Sequence, residues 1–142
     1  MLRGLLSFLQ GKPAADVTLV HPQLGLMKYE EGIWYGHAPA RSEIEITIAG
    51  TELGPDEIQT ERLLEHLENY STLEKQIYDF LEKLLNADPM IKPSDFHIES
   101  VNFLFPKYDG HFMVYMKMDG DENSDWRIEF VDDQPKYLGR DS

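Results

Sequence analysis

The chain has 142 residues, 42% of them hydrophobic and 27% charged, which suits one domain with a buried core and excludes both two full domains and a disordered chain. Acidic residues outnumber basic ones 26 to 13, for a formal net charge of −13; DNA, RNA and anionic membranes are therefore poor partners, because phosphate binding needs Lys and Arg to displace counterions. With no cysteine there are no disulfides, thiolate metal sites or cysteine nucleophiles, and the composition fits a reducing cytoplasm.

The opening MLRGLLSFLQGKP carries Arg3 before Leu5, Leu6, Phe8 and Leu9. Its apolar run is short and interrupted by Gly4 and Ser7, so residues 1–15 are expected to form an N-terminal arm or short amphipathic helix rather than a signal peptide. Residues 16–142 are expected to form a single domain. No stretch approaches the ~20 apolar residues of a membrane span. LGLMKYEEGIWYGHA reads as a hairpin turning at Glu30-Glu31-Gly32. SEIEITIAG alternates, with Ile44, Ile46 and Ile48 on one face and Glu43, Glu45 and Thr47 on the other, which is the pattern of a half-buried antiparallel strand.

Pro55-Asp56-Glu57 starts a helix whose apolar stripe is Leu63, Leu64, Leu67 and Tyr70. Ser71 and Glu74 fit a capping box, and a second helix follows with Leu73, Ile77, Phe80, Leu81 and Leu84 at helical spacing. The stripe changes phase near Tyr70, which favours two helices over one kinked helix. Pro89 and Pro93 make residues 87–95 a loop. Three strands come next, FHIESVNFLF, HFMVYMKM and WRIEFV, joined at Asp109-Gly110 and at DGDENSD, and PKYLG adds a short edge strand blunted by Pro135. The expected architecture is α+β: a mostly antiparallel sheet in the order β-β-β-α-α-β-β-β, with two helices packed on one face.

The loop DGDENSD places Asp119, Asp121, Asn123 and Asp125 at alternate positions, as a calcium-binding EF-hand loop does. Ser124 stands where the glycine is needed and Phe130 where the bidentate glutamate is needed, so turn chemistry is the better account. Among the histidines no pair has the i, i+4 spacing of a zinc protease; His97 and His111, with Asp95 or Glu99, are the pair that adjoining strands bring nearest to a metal site. No serine lies in a Gly-x-Ser-x-Gly context, and no glycine-rich phosphate loop exists. Glu57, Glu61, Glu65 and Glu68 recur along one helix and are answered only by Arg62, while the loop 119–125 contains no base. Trp34, if it faces outward, is a natural anchor for a protein partner.

His21, Pro22, Leu24, Gly25, Trp34 and Gly36, the paired helices LLEHLENYSTLEKQIYDFLEKLL, and the closing DWRIEFVDDQPKYLG resemble a group of small acidic bacterial domains of unknown function. That group overlaps immunity proteins encoded beside secreted toxins, so the resemblance implies toxin neutralisation and supplies no catalytic residues. The expectation is a cytoplasmic, non-enzymatic, acidic protein-binding domain without a cofactor, whose partner is a basic protein such as a toxin. Its contact residues are expected to be Asp119, Asp121, Glu122 and Asp125 in one patch, Glu57, Glu61, Glu65 and Glu68 in another, and Trp34 as anchor. An enzyme or metal-binding domain built on His97 and His111, and a homodimeric scaffold, are the alternatives.

Overall fold

In the computed structural model, which describes residues 17–86, 88 and 90–141, the chain runs β1 (Val17–His21), β2 (Gly25–Glu30), β3 (Ile33–Ala38), β4 (Arg41–Thr51) and a two-residue β5 (Gly54–Pro55). Then come α1 (Glu57–Glu68), α2 (Tyr70–Leu85), a 3-10 turn (Pro93–Asp95), β6 (Phe96–Phe103), β7 (Phe112–Met118), β8 (Asp125–Val131) and β9 (Gln134–Asp141). The expected N-terminal arm lies outside the described residues.

One sheet contains all nine strands, ordered β1-β2-β3-β4-β6-β7-β8-β9 with β5 beside β4. Every neighbour pair is antiparallel except β4 and β6, which run parallel because the two helices carry the chain across between them. The α+β class holds. The sheet is larger than expected: β1 and β5 are additional strands, and β9 is a full eight-residue strand rather than a short one. Pro135 is accommodated because β9 lies at the sheet edge, where a missing N–H costs no ladder bond.

Local chemistry explains the turns. Glu31 and Gly32 sit at φ of 49° and 85°, the two positive values of a type I′ hairpin turn, and Asp132 and Asp133 repeat this at 53° and 61° between β8 and β9. Asp56 caps α1: its carboxylate accepts the Gln59 N–H at 2.9 Å. Asn69, at φ −111° and ψ 43°, interrupts the helical path and separates α1 from α2. Ser71 therefore lies inside the first turn of α2 and is not the N-cap that its spacing to Glu74 suggested; Asn69 holds that place, with no side-chain cap bond.

The helices pack against one face of the sheet, α1 over β4 and β6 and α2 toward β9. Ile44, Ile46 and Ile48 of β4 point into this layer, as their alternation predicts, and meet Leu63, Leu73, Ile77 and Leu81 from the helices. Phe112 stacks between Phe103 and Phe130, with ring centroids 4.6 and 4.3 Å apart. Each such fully buried side chain contributes about 1.5–3 kcal/mol of hydrophobic stabilisation. The opposite face is open, and one row crosses it as Lys28, Tyr35, Thr47, Asn102, Met113, Glu129 and Tyr137. At the parallel seam Thr47 donates to Asn102 at 2.6 Å, and both are only 6% exposed, so the seam is satisfied by its own polar pair.

Candidate partner-binding groove

Helical geometry splits the glutamates of α1. Glu57, Glu61, Leu64 and Glu68 share one flank by their i, i+4, i+7, i+11 spacing, whereas Arg62 and Glu65 lie on another. Arg62 makes a two-pronged pair with Asp109 in the β6–β7 loop, at 2.8 and 3.1 Å, and a 3.3 Å contact with Glu65. The Arg62 guanidinium holds the Asp109 carboxyl below its usual range. Glu65 is thus engaged. Among the described residues Glu57, Glu61 and Glu68 have no ion pair.

These three carboxylates border a groove between α1 and the ends of β1, β3 and β5. It consists of two hollows that share Gln23 and Leu64. The first, about 250 Å³, is walled by Leu64, Leu67, Pro39, Ala40 and Glu68 and ends where the Arg41 guanidinium lies 4.4 Å over the Tyr70 ring. Burial, and next the nearby Glu74, push the Tyr70 phenol upward, so it stays protonated. The second, about 400 Å³, runs between Leu19 and His21 of β1 and Glu57 and Glu61 of α1. Leu53, 98% exposed at the β4–β5 turn, stands at its lip. His21 is oriented by its own turn: Nδ1 accepts the Gln23 and Leu24 N–H groups at 3.1 and 3.2 Å, which leaves Nε2 as the protonated nitrogen of the neutral ring. Chemically the groove is apolar in its first hollow and mixed polar and apolar in its second, with unpaired negative charge along one side and one cation at the far end.

The other expected acidic patch is a folded clasp. Asp121 accepts from Arg140 at 2.8 and 3.0 Å, from Trp126 Nε1 at 3.0 Å and from Ser124 Oγ at 3.1 Å, and Arg140 holds its carboxyl down at about 2. Asp119 pairs with His97 at 3.0 Å and Asp125 with Lys117 at 2.7 Å. Glu122 accepts the Gly120 N–H at 3.0 Å. The loop contains no base, but the folded chain brings Lys117 of β7 to Asp125 and Arg140 of β9 to Asp121, so two of its four acids face a cation, while Asp119 meets the His97 ring of β6 and Glu122 bonds to the loop backbone.

Trp34 is corrected from anchor to core. It is 1% exposed, packs on Tyr29, and donates its indole N–H to the Thr51 carbonyl at 2.8 Å. His97 and His111 fall at opposite ends of the β6–β7 hairpin: His97 pairs across to Lys117, while His111 precedes β7 and contacts Glu129 at 3.1 Å. Among the described residues no three His, Asp or Glu side chains converge on a common point for a metal. Sequence reasoning missed the groove because its walls come from β1, the β3–β4 turn, β5 and α1, and passed over His66. His66 sits 4.6 Å from the Phe112 ring and 3.2 Å from Asp133, pinning α1 to the β8–β9 turn. No helix among the described residues is long and apolar enough to cross a membrane.

Comparison with family models, with curated proteins and with solved structures gives no match.

Proposed function

We propose that this is a non-enzymatic protein-binding domain whose groove along α1 receives a basic, partly apolar segment of a protein partner. The observation that carries this reading is the division of the acids. Asp121, Asp125 and Glu65 each oppose an Arg or Lys of the fold, whereas Glu57, Glu61 and Glu68 flank a groove with an apolar first hollow and have no ion pair. Unpaired charge beside apolar surface serves two purposes: the charge speeds encounter, and the apolar hollow slows departure. Within this reading the narrower form is a cytoplasmic immunity protein that inserts these acids against the basic cleft of a cognate toxin, in line with the resemblance noted above.

Titration calorimetry with an amphipathic leucine–lysine peptide, against a leucine–glutamate peptide of the same pattern, tests the groove. Binding of the first alone, lost in the triple variant E57Q/E61Q/E68Q, is the expected result. Equal binding of both peptides, or of neither, removes the reading. The immunity form is tested separately by asking whether the product of the adjacent gene binds and is inhibited.

A further inference from the structure

We propose that β1 is the pairing edge of a two-fold homodimer, in which the β1 strands of two copies lie antiparallel and join the two sheets into one. The two edges of the sheet are unlike. β9 carries the usual protections against edge pairing: Pro135 without an N–H, the charges of Lys136, Arg140 and Asp141, and an irregular register against β8 at Glu129/Phe130. β1, Val-Thr-Leu-Val-His, has none of them, and among the described residues no strand covers its outer side. Such an edge is a template for another strand.

The chemistry favours a second copy as the occupant. Residues 17–27 are free of Asp, Glu, Lys and Arg in a chain of net charge −13. Two copies repel wherever their acidic surfaces face each other, and this edge is where the approach costs least. The strand also matches itself. Centred on Leu19, antiparallel pairing sets Leu19 against Leu19, Thr18 against Val20 and Val17 against His21, with no charge opposing a charge. On the open face Val20 and its cross-strand partner Leu26 are 77% and 59% exposed, and they extend the seam as an apolar strip that the second copy covers. A five-residue seam is small, so the dimer is expected to be weak and to form in a concentration-dependent way.

Thr18 and Val20 are exposed on the open face, whereas the groove is lined by Leu19 and His21, so this proposal and the groove stand or fall separately. Sedimentation equilibrium of the full chain over a range of concentrations decides it. The expected mass rises from 16.5 kDa toward twice that value. T18E/V20E holds it at the single-chain mass with an unchanged circular dichroism spectrum, and mixing that variant with T18K/V20K restores the doubled mass while leaving peptide binding in the groove unaltered. A wild-type chain that keeps the single-chain mass throughout overturns the proposal, and so does a dimer indifferent to T18E/V20E.

Discussion

Arg140 in the last strand grips Asp121 in the β7–β8 loop through two hydrogen bonds, at 2.8 and 3.0 Å, across 19 residues of chain. The pair turns a loop that reads as bare acid into a closed clasp, with the Trp126 indole and the Ser124 hydroxyl completing the carboxylate's shell. Arg140 also lies 5.7 Å over the Trp126 ring, so one guanidinium serves the loop and the aromatic beneath it.

This clasp sets an acid limit. The Asp121 carboxyl is lowered from 3.8 to about 2, chiefly by Arg140. A group depressed in the folded state adds stability above its unfolded value and loses it as pH falls through its folded value. The Asp121 contribution is therefore complete above about pH 4 and disappears toward pH 2. Chemical denaturation at a series of pH values is expected to show the wild type losing stability across this window, and Asp121→Asn to be less stable at neutral pH and flatter through it.

Charge removal distinguishes the two acidic regions. Replacing Glu57, Glu61 and Glu68 by Gln is expected to slow association with the leucine–lysine peptide about tenfold at low salt and to flatten its salt dependence. Neutralising Asp119 and Glu122, whose partners lie within the loop's own neighbourhood, is expected to change the rate less than about twofold. Stopped-flow fluorescence at low and high salt reads both. The opposite ranking assigns the partner to the loop.

Phe112 is the centre of the aromatic stack between Phe103 and Phe130 and meets His66 of α1. Phe112→Ala is expected to cost about 3–5 kcal/mol in urea unfolding. Leu84→Ala, half exposed near the end of α2, is expected to cost less than about 1 kcal/mol.

Gly110 and Gly25 form a matched pair, with φ of 71° and 72°. A Cβ on Gly25 meets nothing within 4 Å, whereas one on Gly110 lies 2.9 Å from the Asp133 backbone nitrogen, which donates to the Gly110 carbonyl. Gly25→Ala is expected to cost about 1 kcal/mol, the price of the left-handed conformation alone. Gly110→Ala is expected to cost about 2–4 kcal/mol, because the β6–β7 loop must also part from the β8–β9 turn. The difference between the two melting curves isolates the contact.

What the sequence reveals follows the range of each interaction. The alternation of Ile44, Ile46 and Ile48, the Glu31-Gly32 turn and the phase change near Tyr70 are local patterns, and each has its expected counterpart in the fold. Five residues beside the Pro-Ala-Ala-Asp stretch give too short a pattern to mark β1, and Pro135 argues against a full-length β9 when edge position is unknown. Partnerships across the chain were hidden altogether. Arg62 finds Asp109 47 residues away, and His66 finds Asp133 67 residues away. The candidate site therefore showed in outline as a list of acids, while the sorting of spent from unpaired acids needed the fold.

The parallel contact between β4 and β6 also divides the chain's assembly in time. On either side of it every strand pairs with its neighbour in sequence, so β1–β5 and β6–β9 are two meanders built from short-range hairpins that close within microseconds. Joining them means bringing Thr47 to Asn102 across 55 residues, after the intervening helices have formed enough to shorten the path. The main folding barrier is expected at this one line of contact, where loop closure is longest. In stopped-flow chevron measurements, substitutions along it are expected to slow folding and those in the outer hairpins mainly to hasten unfolding, the pattern of two quick halves joined by a single slow closure.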